Sequence, residues 1–196
     1  MKIVILAGGY GTRIAEYTKK IPKPMVKIGG IPLLTHIMRL FKSYGYDEFI
    51  IAAGYKKKVI QNYYLNSKEF TNLQIIDTGK ETMTGGRLLR LKPFFKKEEI
   101  FFMTYGDGLS DVNLKKLKEF HLKHKKIASV TAVRPPVRFG EMSIVRSRVS
   151  SFKEKPEIKS SWINGGFFVL NYKVFNFIKD DSISFEKQPM EKLSAK

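Results

Sequence analysis

The chain has 196 residues, 43% of them hydrophobic and 28% charged, with no cysteine and a net charge of +18. That length supports one substantial core and predicts one domain, while the lack of cysteine excludes disulfides and thiolate metal sites. No apolar run approaches the roughly 18 residues of a spanning helix, and the N-terminus lacks a signal-peptide pattern, so the expected location is cytoplasmic, with no membrane partner. The positive charge invites a nucleic-acid reading. Lysine supplies most of it in scattered runs (56–58, 96–97, 115–116, 123, 125–126), without a recognition helix, zinc-finger spacing or aromatic RNA-binding motif. These runs read as solvated faces with no specific nucleic-acid partner, and their charge would steer polyphosphates.

Glycine and proline punctuation divides the chain into apolar runs and helical stripes. Residues 3–6 read as a strand buried on both faces. Leu33, Leu34, Ile37, Met38 and Phe41 recur at helical spacing, in a helix that should end near Tyr44-Gly45. A second strand spans 49–52, and Val59, Ile60, Tyr63 and Tyr64 mark a second helix. Residues 73–76 form a third strand, 87–91 a helix stopped near Pro93, 100–104 a fourth strand, and 113–124 a further helix. From Ile127 the texture changes to strands and turns, at 128–133, 142–145, 149–152 and 162–170. The alternation predicts an α/β fold with a doubly wound, mainly parallel sheet, helices on both sides and an appended β-rich subregion. Ligands of such sheets bind beyond the carboxyl ends of the strands.

Two segments leave strands at that edge. In Val4-Ile5-Leu6-Ala7-Gly8-Gly9-Tyr10-Gly11-Thr12-Arg13 the strand breaks into three glycines, then a hydroxyl and a guanidinium. Glycines there allow positive φ and close approach of a ligand to the amides, and the guanidinium suits phosphate oxygens. An ordinary strand-end turn is the plain alternative. A dinucleotide fingerprint fails, because Ile14 takes the third glycine position, and a P-loop fails for lack of G-K-[ST]. In Thr104-Tyr105-Gly106-Asp107-Gly108 a carboxylate, expected to stand clear of neighbouring side chains, is placed to hold Mg2+ bridging phosphates. An Asx turn is its bland alternative, and the preceding phosphate loop favours the metal. A third segment, Thr82-Met83-Thr84-Gly85-Gly86-Arg87, runs from a turn into a helix, whose free N-terminal amides are expected to face a ligand's polar edge.

The first stretch resembles the signature of the sugar-1-phosphate nucleotidyltransferases, L-A-G-G-x-G-T-R-[LI], and Pro22-Lys23-Pro24-Met25 resembles its companion motif. Asp77-Thr78-Gly79, Thr84-Gly85-Gly86-Arg87, Arg138-Phe139-Gly140, Phe152-Lys153-Glu154-Lys155-Pro156 and Asn164-Gly165-Gly166-Phe167-Phe168 are similar to the branch that activates glucose 1-phosphate with CTP. The resemblance runs from Met1 to about Leu193. It implies that Leu6, Ala7, Gly8, Gly9, Gly11, Thr12, Arg13 and Lys23 hold the nucleotide, with Thr84, Gly85, Gly86 and Arg87 near the base and ribose. Gly140, Glu154, Lys155, Asn164 and Gly165 would face the sugar phosphate, and Asp107 would hold Mg2+, the implied cofactor. Arg13, Lys23 and Lys155 would carry the catalysis. The partners would be CTP, or another nucleoside triphosphate, and a sugar 1-phosphate, and a homo-oligomer is left open. The 64–75 segment is shorter than in that branch. The chain ends before the family's second metal-binding aspartate, and Asp180, Asp181 and Glu186 do not match that motif. The expectation is a single domain, 1–196, lacking the family's C-terminal segment.

The three histidines, His36, His121 and His124, fall in helical patterns away from any nucleophile. Nucleotidyl transfer needs none, because a phosphate monoester is already largely dianionic near neutral pH, its second pKa being about 6. The competing readings are a non-catalytic nucleotide- or sugar-phosphate-binding remnant, a transferase using a different nucleotide, and a basic nucleic-acid-binding protein.

Overall fold

Apolar side chains occupy both faces of the first strand, and the fold follows from covering each face. In the computed structural model, which describes residues 1–11, 16, 20–135, 140–154 and 161–195, the elements follow in chain order. They begin with β1 (Lys2–Ala7), the two short strands β2 (Lys27–Ile28) and β3 (Ile31–Pro32), α1 (Leu33–Ser43), β4 (Glu48–Ala53), α2 (Lys57–Tyr64), β5 (Leu73–Asp77) and α3 (Thr84–Arg90). There follow β6 (Ile100–Tyr105), α4 (Leu114–His124), β7 (Ala128–Val133), β8 (Glu141–Val145), β9 (Arg148–Lys153), β10 (Ile163–Asn171) and α5 (Gln188–Ser194). Six of the described strands make one sheet in the order β5-β4-β1-β6-β10-β7. Strands β5, β4, β1 and β6 run parallel, and β10 runs antiparallel to both β6 and β7.

Side-chain alternation along the strands sorts the core into two layers. Ile3, Ile5, Phe49, Ile51, Phe102 and Phe167 face α1, α2 and α4, where Ile37, Phe41, Ile60 and Leu114 are buried against them. Val4, Leu6, Ile50, Phe101, Met103 and Phe168 face the other way, against Leu88 of α3 and against Phe175 and Phe185 of the C-terminal segment. The runs predicted as fully buried are therefore the strands covered on both faces. Strands β7 and β10 are part of the main sheet, which corrects the expectation that all the late strands form an appended subregion. Only the β8–β9 hairpin stands apart, as its own two-stranded sheet. The reason is that 167–170 carries apolar side chains toward both layers, so β10 can pair beside β6 without exposing either face. The lysines of the runs at 96–97, 115–116 and 125–126 are exposed. No helix among the described residues is long and apolar enough to cross a membrane.

Two elements of this core give measurable expectations. Phe41 is fully buried and its ring meets those of Phe102 and Phe167, with centroids 5.4 and 6.1 Å away. Phe41→Ala should cost about 3–5 kcal/mol, lowering Tm by roughly 6–20 °C in a thermal melt. His121, on α4, is 3% exposed, and its Nδ1 lies 2.9 Å from the Ser129 hydroxyl, which His124 Nε2 also approaches at 2.7 Å. Burial, with a smaller contribution from neighbouring His124, lowers the His121 pKa from 6.5 to about 4. The unfolded chain thus takes up a proton near pH 6.5 and the folded one only near pH 4. This contribution to stability is complete above pH 6.5 and is lost as the pH falls from about 6.5 to about 4. Urea melts across that range should show the decline in the native chain and a flatter profile in His121→Gln.

Candidate active site

The strand order reverses direction at β1: the chain moves outward through β4 to β5, then crosses back to place β6 on the other side. A crevice opens at such a switch point beyond the carboxyl ends of the two strands. Here the loops after β1 and β6 are joined by one bond, Gly106 N–H donating to the Leu6 carbonyl at 2.9 Å. Gly11 has φ of 66°, in the left-handed region that favours glycine. The result is a cleft of about 430 Å3, within the usual range of ligand sites. It is lined by Leu6, Ala7, Gly8, Gly9 and Gly11 on one side, by Lys23 and Asp107 on another, and by Thr84, Arg87 and Tyr105.

Arg87 holds this architecture. Its side chain, from α3, is 3% exposed. The guanidinium donates from Nη2 to the Gly8 carbonyl at 2.9 Å and the Lys80 carbonyl at 3.2 Å, and from Nη1 to the Gly79 carbonyl at 2.6 Å and the Thr78 hydroxyl at 2.9 Å. A methyl group on Gly8 or Gly54 would overlap that guanidinium, which explains both glycines. Burial lowers the Arg87 pKa, with repulsion from Arg90 as the next cause. Thr78 in turn donates to the Ala53 carbonyl at 2.7 Å, and Gly79 N–H to Asp77 Oδ1 at 3.0 Å. The Asp77 carboxyl is held below its ordinary range by a hydrogen bond from Lys57 and then by the Gly79 amide. The Asp77-Thr78-Gly79 turn and the glycine loop are therefore fixed by one side chain.

Asp107 does not stand clear of neighbouring side chains: its Oδ2 pairs with Lys23 Nζ at 2.6 Å. The expectation of an isolated carboxylate is corrected here, because the short helical turn Lys23–Met25 lies directly across from the β6 loop, with Pro24 against Gly106. The amides at the start of α3 are not free either. Gly85 and Gly86 N–H both donate to the Ile183 carbonyl, at 2.9 and 3.3 Å, and Met83 N–H donates to the Asp181 carbonyl at 2.9 Å. A side chain at Gly85 would meet the Ile183 oxygen at 2.6 Å, so these two glycines admit the 181–185 segment behind the cleft wall. Thr84 and Arg87 remain on the cleft side.

Of the residues expected to face the sugar phosphate, Gly140 and Glu154 lie together, a Cβ on Gly140 meeting Glu154 Oε2 at 3.1 Å. Gly165 lies against the backbone of β7, where a Cβ would meet the Thr131 oxygen at 2.9 Å and where the β10–β7 register shifts. Asn164 lies near Tyr105, one of the residues lining the cleft, and its Oδ1 accepts from Gly166 N–H at 2.8 Å. Thr12, Arg13 and Lys155 lie outside the described residues, as do Arg138 and Phe139. Sequence reasoning passed over Tyr10, whose hydroxyl bonds to Glu81 across the cleft mouth, and Glu186, which bonds to both Thr84 and Tyr105. No local pattern marks either pair, since the partners are 71 to 102 residues apart.

A crevice at the strand switch point, floored by a glycine loop and flanked by a lysine and a carboxylate, defines a site for a phosphorylated ligand. Residues 2–194 match the nucleotidyl transferase family, and the chain belongs to it. It is 44% identical to the glucose-1-phosphate cytidylyltransferase of Salmonella typhi over 216 aligned residues, covering 99% of this chain and 84% of that protein. It is 38% identical to a probable glucose-1-phosphate cytidylyltransferase of Bacillus subtilis with the same coverage. Among solved structures, HddC from Yersinia pseudotuberculosis complexed with GMP-PN superposes with a TM-score of 0.76 at 28% identity, covering 97% of this chain and 85% of that one.

Arg87→Lys provides the test of the brace. One ammonium cannot serve four acceptors arranged around a planar fork, so the variant should lose about 1–3 kcal/mol in a urea melt. Nucleotide affinity should fall as well, since the Gly8 carbonyl loses its anchor. Wild-type stability in Arg87→Lys would show that the fork geometry is dispensable.

Proposed function

We propose that the chain joins CTP and a sugar 1-phosphate, glucose 1-phosphate being the favoured one, into a CDP-sugar and pyrophosphate. The observation that carries this reading is the 44% identity to a glucose-1-phosphate cytidylyltransferase across 99% of the chain. The cleft's residue types agree with it. In this reaction a phosphate oxygen of the sugar phosphate attacks the α-phosphorus of CTP. A new O–P bond forms as the bond to the β-phosphate bridging oxygen breaks, and pyrophosphate leaves. The nucleophile is already dianionic, so no base is required and catalysis rests on alignment and charge cancellation.

In this reading the loop from Gly8 to Gly11 orients the triphosphate with backbone amides, and Lys23 neutralises it. Arg13 and Lys155 add cationic charge on the nucleotide and sugar-phosphate sides. Thr84 and Arg87 shape the nucleoside side, while Gly140, Glu154 and Asn164 face the sugar phosphate. Mg2+ fits Asp107. Among the described residues no group of three acidic, histidine or cysteine side chains forms a metal cage, and Mg2+ commonly uses one or two carboxylates plus substrate phosphates. When bound, it would supply charge stabilisation at the phosphates. Lys23 and Asp107 pair with each other at 2.6 Å; with ligand bound, Lys23 would serve the phosphates and Asp107 would hold the metal. A second reading, transfer from GTP, rests on less similar relatives such as the D-glycero-alpha-D-manno-heptose 1-phosphate guanylyltransferase of Campylobacter jejuni, 35% identical over 95% of the chain.

Thermal-shift measurements discriminate the two. CTP with Mg2+ should stabilise the fold more than ATP, GTP, UTP or dTTP at equal concentration, its own stabilisation reaching about 2.7 kcal/mol at a hundredfold excess over Kd. Equal shifts with all five nucleotides, or a larger one with GTP, would remove the cytidylyl assignment. Asp107→Asn keeps the shape and loses the metal-anchoring charge. CTP alone should still bind that variant while the gain from adding Mg2+ disappears, and a retained Mg2+ response would sink the metal assignment.

A further inference from the structure

Glu186 is an exposed residue in the turn before α5, next to Phe185, which is fully buried in the second core layer. Its carboxylate reaches back to the cleft wall. Oε2 accepts from the Thr84 hydroxyl at 2.6 Å, and Oε1 accepts from the Tyr105 hydroxyl at 2.6 Å. Both donors line the cleft, Thr84 at the start of α3 and Tyr105 at the end of β6, two residues before Asp107. Each hydroxyl has a single proton, and both protons are committed to Glu186. The Thr84 hydroxyl is engaged as an acceptor too, its Oγ1 accepting from Phe185 N–H at 2.9 Å. Hydrogen bonds to a carboxylate at this length are of the stronger, charge-assisted kind, and a fully satisfied polar network is rigid.

These bonds connect elements that the backbone does not join at this edge. Helix α3 and the end of β6 both line the cleft, and between them Thr84–Glu186–Tyr105 forms a continuous side-chain bridge. We propose that Glu186 is a positioning residue that sets the spacing between the nucleoside wall and the sugar-phosphate wall, so that ligands spanning both walls depend on it more than ligands held by one. This rests on the nucleotidyl-transfer reading of the cleft. A sugar nucleotide touches both walls. A nucleoside triphosphate is held chiefly by the glycine loop and Lys23, neither of which touches Glu186.

The test is calorimetric titration of the whole chain with CTP and Mg2+, and separately with CDP-glucose, in wild type, Glu186→Ala, Tyr105→Phe and the double variant. Removing the bridge should weaken CDP-glucose binding by about 10- to 30-fold, the scale of one or two lost hydrogen bonds, while CTP affinity changes by less than about 3-fold. Tyr105→Phe, which deletes only one oxygen, should reproduce most of the loss, and the double variant should be no worse than Glu186→Ala, because coupled residues are non-additive. Glu186→Gln, with one acceptor oxygen retained and a donor facing the other hydroxyl, should fall between. Equal losses for both ligands, additive losses, or a collapse in Tm for all variants would assign Glu186 to the fold alone. Failure of the unmodified chain to bind either ligand would overturn the transfer reading itself, and the bridge with it. Normal wild-type binding with variants unchanged toward CDP-glucose would overturn only the bridge.

Discussion

The Arg87 guanidinium is the contact on which the rest of the site depends. It is buried among the Gly8, Gly79 and Lys80 carbonyls and the Thr78 hydroxyl, which come from two separate stretches of chain. A buried cation is costly unless well solvated by protein dipoles, and four oriented acceptors supply that solvation. In return the loop after β1 is held at a fixed distance from the turn after β5. The glycines at 8 and 54 follow from the same contact, because a Cβ at either position would occupy the guanidinium's space. The motif's glycines therefore serve the protein's own packing as well as access for a ligand.

Charge placement around the cleft shows a similar economy. Lys23 and Asp107, from opposite loops, pair with each other at 2.6 Å while remaining partly open to solvent. A partly exposed pair of this kind contributes little to stability, so breaking it costs little. The chain's net charge of +18 comes largely from exposed lysines outside the cleft, as at 96–97, 115–116 and 125–126. Its effect is a long-range field that favours polyanions and weakens with salt, which agrees with a phosphorylated ligand and requires no nucleic acid.

The segment from Asp181 to Glu186 has a larger part than its polar sequence implies. It covers the amides at the start of α3 through Asp181 and Ile183, fills the second core layer with Phe185, and turns Glu186 back onto Thr84 and Tyr105. Asp181 also pairs with Arg90, Nε donating at 3.0 Å. Gly85 and Gly86, which from sequence read as ligand-facing, are shaped by the close approach of this segment. The wall of the cleft is thus built from residues about a hundred positions apart.

The sequence by itself determined most of the main elements, though not β2, β3 or α5, and the edge at which the glycine loop and Asp107 meet. The apolar runs at 3–6 and 49–52 and the run 100–104 read as strands, the 3.6-residue stripe at Leu34, Ile37, Met38 and Phe41 reads as a helix, and the alternation places the glycine loop and Asp107 at the same edge. These features are legible because periodicity and glycine spacing are local properties of the chain. Tertiary structure decided what those properties leave open. It placed β7 and β10 within the main sheet, paired Lys23 with Asp107, committed Arg87 to the backbone of the loop, and brought Glu186 against Tyr105. Each of these depends on which groups meet across 79 residues or more of chain, or on which edge strand completes the sheet. Such contacts are selected by the packing of the whole core, and no window of sequence contains them.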